Sequence, residues 1–308
     1  MAGRIHHGWG LVILTFVAVP AQAVIIYTDS GPTRNTSAPA DPGLLTAWNY
    51  QGSWSGFLGT PIASKYFITA AHVGGTVGGT FNYKGTNYTT VAKYDGPSSD
   101  LRIWEVSTAL PDWAPMYTGT DELNKPLFVT GRGTQPGVAV TVDGELKGWK
   151  WGTEDHLKSW GSNNVEWIAT QSGATDNDDL LAFNFNRING VNEAHLSGGD
   201  SGGAVFVQDS GVWKLAGINY AVDAYFNYGT KNADKFLAAI FDAGGLYYGD
   251  DNNWNYIPNQ SYDITSSAYA SRISTNLDWI YTVVPEPCAV GLLSFAALLA
   301  LGRRRRAA

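Results

Sequence analysis

One cysteine and two methionines in 308 residues leave this chain little sulfur chemistry. The cysteine, Cys288, lies in an apolar stretch near the C-terminus. An intrachain disulfide, a zinc–thiolate cluster and a cysteine nucleophile are therefore excluded from the body that precedes it. Charge is scarce as well: Asp, Glu, Lys and Arg make up 15% of residues, against about 25% in an average soluble protein. Four of the 20 basic residues form the single run Arg303–Arg306, and the formal charge is −7. Both facts argue against a nucleic-acid binder. A repeat with a period of about 20 to 50 residues is also missing, which excludes solenoids and propellers. What the chain does hold is 36 glycines and 13% aromatics, a composition of short strands joined by turns rather than of disorder.

Both ends carry targeting patterns. Arg4, His6 and His7 precede the apolar run LVILTFVAV at 11–19, and Ala21, Gln22 and Ala23 supply the small-x-small site of signal cleavage. This order predicts a signal peptide over 1–23, export, and a mature chain from Val24; a buried N-terminal strand is the competing reading. At the other end VPEP at 284–287 precedes the apolar segment 288–302 and the four arginines. That segment is short for a membrane helix, which needs about 20 apolar residues, although snorkelling arginines extend it and the basic cluster would stay cytoplasmic. The tail over 282–308 resembles the PEP-CTERM sorting signal of Gram-negative bacteria, which a membrane transpeptidase, exosortase, processes; an ordinary tail anchor is the alternative. The resemblance implies exosortase as a partner, an inner-membrane tether before processing, and a destination in the cell envelope or extracellular matrix. Without both segments the charge is −11, with 15 bases against 26 acids.

Between these signals, short alternating or apolar runs bounded by turn residues predict an all-β body: 65–69, 80–85, 101–106 (LRIWEV), 126–131 (PLFVTG), 138–142, 203–207 and 212–218. Helical spacing is convincing only from Ser267 to Tyr281, where Tyr269, Ile273, Leu277 and Ile280 recur every three or four residues. The stretch from Leu110 to Lys125, with Pro111, Pro115 and Gly119, reads as an interdomain linker.

Three patterns could carry chemistry. His72 closes TAAH at 69–72 after an apolar run, Asp100 opens LRIWEV, and Ser201 sits in SGGDSGG at 197–203. A serine hydroxyl is a poor nucleophile unless an imidazole removes its proton, and the imidazole works only if a carboxylate fixes its tautomer and stabilises its charged form. The glycines let the backbone turn sharply, so that the N–H groups of Gly199 and Ser201 can converge where a tetrahedral intermediate places its oxyanion. Each pattern alone has a plain structural explanation; the three together point to acyl transfer.

The order His72, Asp100, Ser201 in these contexts resembles the trypsin/chymotrypsin-like serine endopeptidases. LFVTGRG at 127–133 is similar to the segment opening that family's second barrel, and YASRISTNLDWI at 269–280 to its closing helix. The resemblance covers about residues 50 to 281. It implies two packed six-stranded antiparallel barrels with a C-terminal helix, the first over 24–118 and the second with the helix over 119–281. It further implies a monomeric serine endopeptidase acting on protein or peptide, without cofactor or metal. His72 would be general base and then acid, Asp100 would orient it, and Ser201 would attack the scissile carbonyl. Asp100 is preferred to Asp95 because an apolar strand follows it directly.

The same resemblance implies that Asp200 needs a partner, for which the Val24 ammonium is one candidate. It also puts His195, Tyr220 and Val222 around the pocket for the residue before the cut. Such a pocket suits small apolar side chains, or acidic ones if His195 is protonated and accessible. A catalytically inactive binding or matrix protein on the same scaffold is the alternative function. TDNDD at 175–179 reads as a solvated acidic turn rather than a calcium loop. Most of the 12 tryptophans, Trp149, Trp151 and Trp160 among them, read as filling barrel cores or surface gaps rather than stacking on sugars.

Overall fold

The computed structural model describes residues 24–27, 31, 33–170, 179–187, 192–223, 225–250 and 253–284. The predicted signal peptide, the sorting tail beyond Val284 and residues 175–178 of the acidic turn lie outside them. No helix among the described residues is long and apolar enough to cross a membrane.

The body is mostly β. Strands Gly52–Trp54, Phe57–Ala63, Tyr66–Ala70, Leu101–Val106, Thr86–Asp95 and Thr80–Tyr83 close, in that spatial order, into a six-stranded antiparallel barrel. Two of its hairpins turn on Ser55-Gly56 and Lys84-Gly85, where both residues of each pair have positive φ. That geometry matches the right-handed twist of the flanking strands and calls for glycine at its second position. Inside, Phe67 stacks on Phe81 at 3.9 Å and Trp54 lies against Trp104 at 4.6 Å. Burial of such rings contributes on the order of 2 to 3 kcal/mol each.

The second half is a nine-stranded sheet with two three-stranded sheets beside it, and no second closed barrel occurs among the described strands. At the centre of the large sheet Pro126–Gly131, Ala204–Asp209, Val212–Val222 and Ser267–Arg272 follow one another. One edge is Ile25–Tyr27, paired antiparallel to Glu193–His195. The first strand of the body thus belongs to this sheet and not to the barrel, where the predicted boundary at residue 24 placed it.

The helical expectation over Ser267 to Tyr281 needs correction. Its first part is the strand Ser267–Arg272, paired on one side to Asp179–Asn184 and on the other to Val212–Val222, and the helix spans only Leu277–Val283. Sheet pairing on both edges overrode the spacing of Tyr269, Ile273, Leu277 and Ile280, of which only the last two fall in the helix. An unpredicted helix, Pro42–Asn49, starts where the Asp41 carboxylate accepts the Leu44 N–H at 2.9 Å and proline opens the first turn.

One core joins the two halves, with Trp54, Trp104, Phe128, Phe206, Ile273 and Ile280 in a single cluster. The segment from Leu110 to Lys125 passes between them as a packed strap. Ala114 N–H donates to the Pro61 carbonyl in the barrel and Tyr117 N–H to the Leu215 carbonyl in the sheet. Glu122, fully buried, pairs with Arg272 and accepts from the Ser274 hydroxyl at 2.6 Å.

Candidate functional site

Strand Tyr66–Ala70 pairs antiparallel with Leu101–Val106, opposing Ala70 to Leu101. The residues just beyond that pair, Ala71-His72 on one strand and Asp100 on the other, are therefore neighbours by register alone. A short 3-10 turn over Ala71–Val73 then aims the histidine. Ala71 N–H donates to the Asp100 carbonyl at 2.7 Å, and His72 N–H to Asp100 Oδ1 at 2.9 Å. The remaining oxygen, Oδ2, bonds His72 Nδ1. This leaves Nε2 as the acceptor, and Ser201 Oγ lies 2.8 Å from it. The imidazole edge is part exposed and the carboxylate largely covered, with side-chain exposures of 41% and 13%. Asp95, the rejected alternative, pairs with Arg102 instead.

Neither a family model nor a curated protein matches this chain. The chemistry must be read from the groups themselves.

Ser201 is held by its turn. Gly199 and Gly202 have φ of +91° and +76°, values that side chains resist. The turn is closed by Gly203 N–H donating to the Asp200 carbonyl at 3.1 Å and Gly202 N–H to the Asn219 carbonyl at 3.1 Å. The Asn219 amide crosses to the Asp200 and Thr130 carbonyls at 2.9 and 2.7 Å. Among the described residues neither the Gly199 nor the Ser201 amide donates to any acceptor. Two amides without an acceptor among the described residues therefore flank Ser201 Oγ.

Asp200 itself is buried. Its carboxylate accepts from the N–H of Gly133 at 2.8 Å, from the N–H and hydroxyl of Ser197 at 2.7 and 3.0 Å, and from the N–H of Val24. Burial still dominates and pushes its pKa up to about 6, the hydrogen bonds only moderating the rise. Val24 is fully buried, with φ of +38°, a conformation a β-branched residue adopts only under strain.

Beside Ser201 lies a recess of about 170 Å³ whose walls include Trp151, Gly198, Tyr220, Ala221 and Val222. Two of the three expected pocket residues, Tyr220 and Val222, are in it. His195 is not: it is fully buried, its Nδ1–H donating to the Leu196 carbonyl at 2.7 Å and its Nε2 lying 3.0 Å from the Ser266 hydroxyl. Burial lowers its pKa to about 4, so it is neutral near pH 7 and offers no charge for an acidic side chain.

Trp151 is the wall the sequence concealed. It lies on strand Glu145–Glu154, where nothing local distinguishes it from Trp149, which is core against Phe185 and Phe241. Trp160 is half-buried and donates Nε1–H to the Ser37 carbonyl at 2.8 Å. Among the described residues no group of three or more His, Cys, Asp or Glu could hold a metal ion.

Proposed function

We propose that this protein is an exported serine endopeptidase of the trypsin/chymotrypsin-like kind. The observation that carries the proposal is the continuous hydrogen-bonded chain from Asp100 through His72 to Ser201, assembled from segments 28 and 101 residues apart. His72, neutral at Nε2, takes the Ser201 proton as the oxygen attacks the carbonyl. Asp100 holds the tautomer and offsets the imidazolium charge, and the Gly199 and Ser201 amides receive the oxyanion. His72 then protonates the leaving amine, and a water that it deprotonates releases the acyl group. The narrow recess, whose only charged lining residue is the buried Asp200, favours a small apolar residue before the cut. The double-barrel architecture belongs to this proposal, the closed barrel and the shared core being what supports it.

Asp200 bears on activation. If the signal peptide is cut after Ala23, the amide that now touches Asp200 becomes the ammonium of Val24, already in place against the carboxylate. The cut also relieves the backbone strain at Val24, on the order of 1 to 3 kcal/mol. A mature chain extended by two residues at this end is expected to lose most activity; full activity would remove the idea. For the peptidase itself, Ser201→Ala should lower casein hydrolysis by a factor on the order of 10⁴ and abolish fluorophosphonate labelling. Undiminished hydrolysis by that variant would sink the proposal.

A further inference from the structure

A second cavity, of about 260 Å³, opens between the barrel and residues 156–158. Lys84, Arg132 and Lys158 line it, and no acidic residue does. Lys84 is paired with Asp112 outside the cavity, but the other two cations have only neutral partners. The Arg132 guanidinium donates through Nε to the His156 carbonyl and through Nη1 to Ser53 Oγ at 3.0 Å. Asp155, the acid acting on Arg132 across space, is committed to Arg34 at 2.9 Å. Lys158 Nζ donates to the Trp48 carbonyl at 3.0 Å and sits 3.9 Å from the Trp48 ring centre. Burial lowers its pKa to about 8, a sign that its charge is poorly compensated. In a body of net charge −11, two desolvated cations without counter-charge form an anion site.

The cavity abuts the serine turn. The Leu58 carbonyl, on its wall, accepts the Thr69 hydroxyl at 2.8 Å and lies 2.7 Å from where a Cβ on Gly202 would stand. The Arg132 carbonyl is 3.4 Å from the corresponding point on Gly199. The cavity shares no lining residue with the recess at Tyr220 and Val222. A substrate with its acyl side chain in that recess would carry its leaving-group half past Leu58 and Arg132.

We infer that this cavity binds an Asp or Glu side chain of the substrate within the first two residues after the cut. The inference rests on the peptidase proposal and adds a substrate class to it: peptides acidic on the leaving-group side. A carboxylate there meets the open edge of the Arg132 fork and the Lys158 ammonium in charge-assisted bonds.

The test uses the full protein and C-terminally amidated peptides that differ only in carrying Glu, Gln or Ala at each of those two positions. One further peptide ends there with a free carboxylate. Glu is expected to exceed Gln by about tenfold in kcat/KM, with the ratio shrinking as salt is raised. Lys158→Met should bring the ratio toward one, and Lys158→Arg should keep it; Arg132→Gln serves where Lys158→Met does not fold. Preference for the free terminal carboxylate over the Glu side chain would overturn the stated ligand. A ratio near one in a parent protein that labels with fluorophosphonate at Ser201 would overturn this inference and leave the peptidase proposal standing. Failure to label would overturn both.

Discussion

The barrel and the nine-stranded sheet place their share of the site in different ways. The barrel delivers His72 and Asp100 through one strand pair, Tyr66–Ala70 on Leu101–Val106, and the register alone makes them neighbours. The sheet delivers Ser201 through a turn that depends on three distant segments: Val24, Gly133 and Asn219 all touch its backbone or its Asp200. His72 and Asp100 are therefore locally secured, whereas Ser201 is exposed to changes far along the chain.

The sharpest way to probe the secured half is Asp100→Asn. Oδ1 can still accept the His72 N–H, but an amide at the other position donates to Nδ1 and forces the wrong tautomer. Peptide hydrolysis should fall by a factor on the order of 10⁴ with the melting temperature nearly unchanged. The dependent half should break differently. In Gly131→Ala the new methyl would overlap the Asp200 carboxylate, costing roughly 3 kcal/mol or more. Circular dichroism melting should show the loss and fluorophosphonate labelling should fail.

Titration separates the halves next. Asp200, with its pKa raised to about 6, adds stability that is complete below about pH 4 and is lost as pH rises through 6. His195, lowered to about 4, adds stability that is complete above about pH 6.5 and is lost as pH falls through 4. Each is worth about 3 kcal/mol and the two oppose one another. Denaturant midpoints of a chain extended upstream of Val24 should therefore be nearly flat between pH 4 and 6. A chain beginning at Val24 should instead gain stability over that range, because its ammonium lowers the Asp200 pKa and the His195 contribution is no longer opposed. The smallest effect belongs to the barrel surface: Arg102→Ala removes the bond to Asp95, worth less than about 1 kcal/mol.

Legibility in the sequence followed the same division. Leu101–Val106 and Pro126–Gly131 were readable to the residue, because both are apolar runs with clear turn residues around them. Ser267–Arg272 was not, since serine and alanine give a strand no β-branched signature and only its two partners make it one. The candidate site divides likewise. His72, Asp100 and Ser201 each carry a local context, and the structure brings them together. Trp151 and Lys158 carry none, for their positions follow from how separate strands meet. Counting back from Ser201 misplaced His195 because Glu193–His195 pairs with Ile25–Tyr27, and its ring packs against Phe185 at 5.6 Å instead of reaching the recess.

Val284 closes the body at a fixed point. It is buried in the shared core and its N–H donates to the Ile280 carbonyl at 2.8 Å. The end of the described body is therefore pinned rather than frayed. An exopeptidase digesting backward from the C-terminus should stall at this residue.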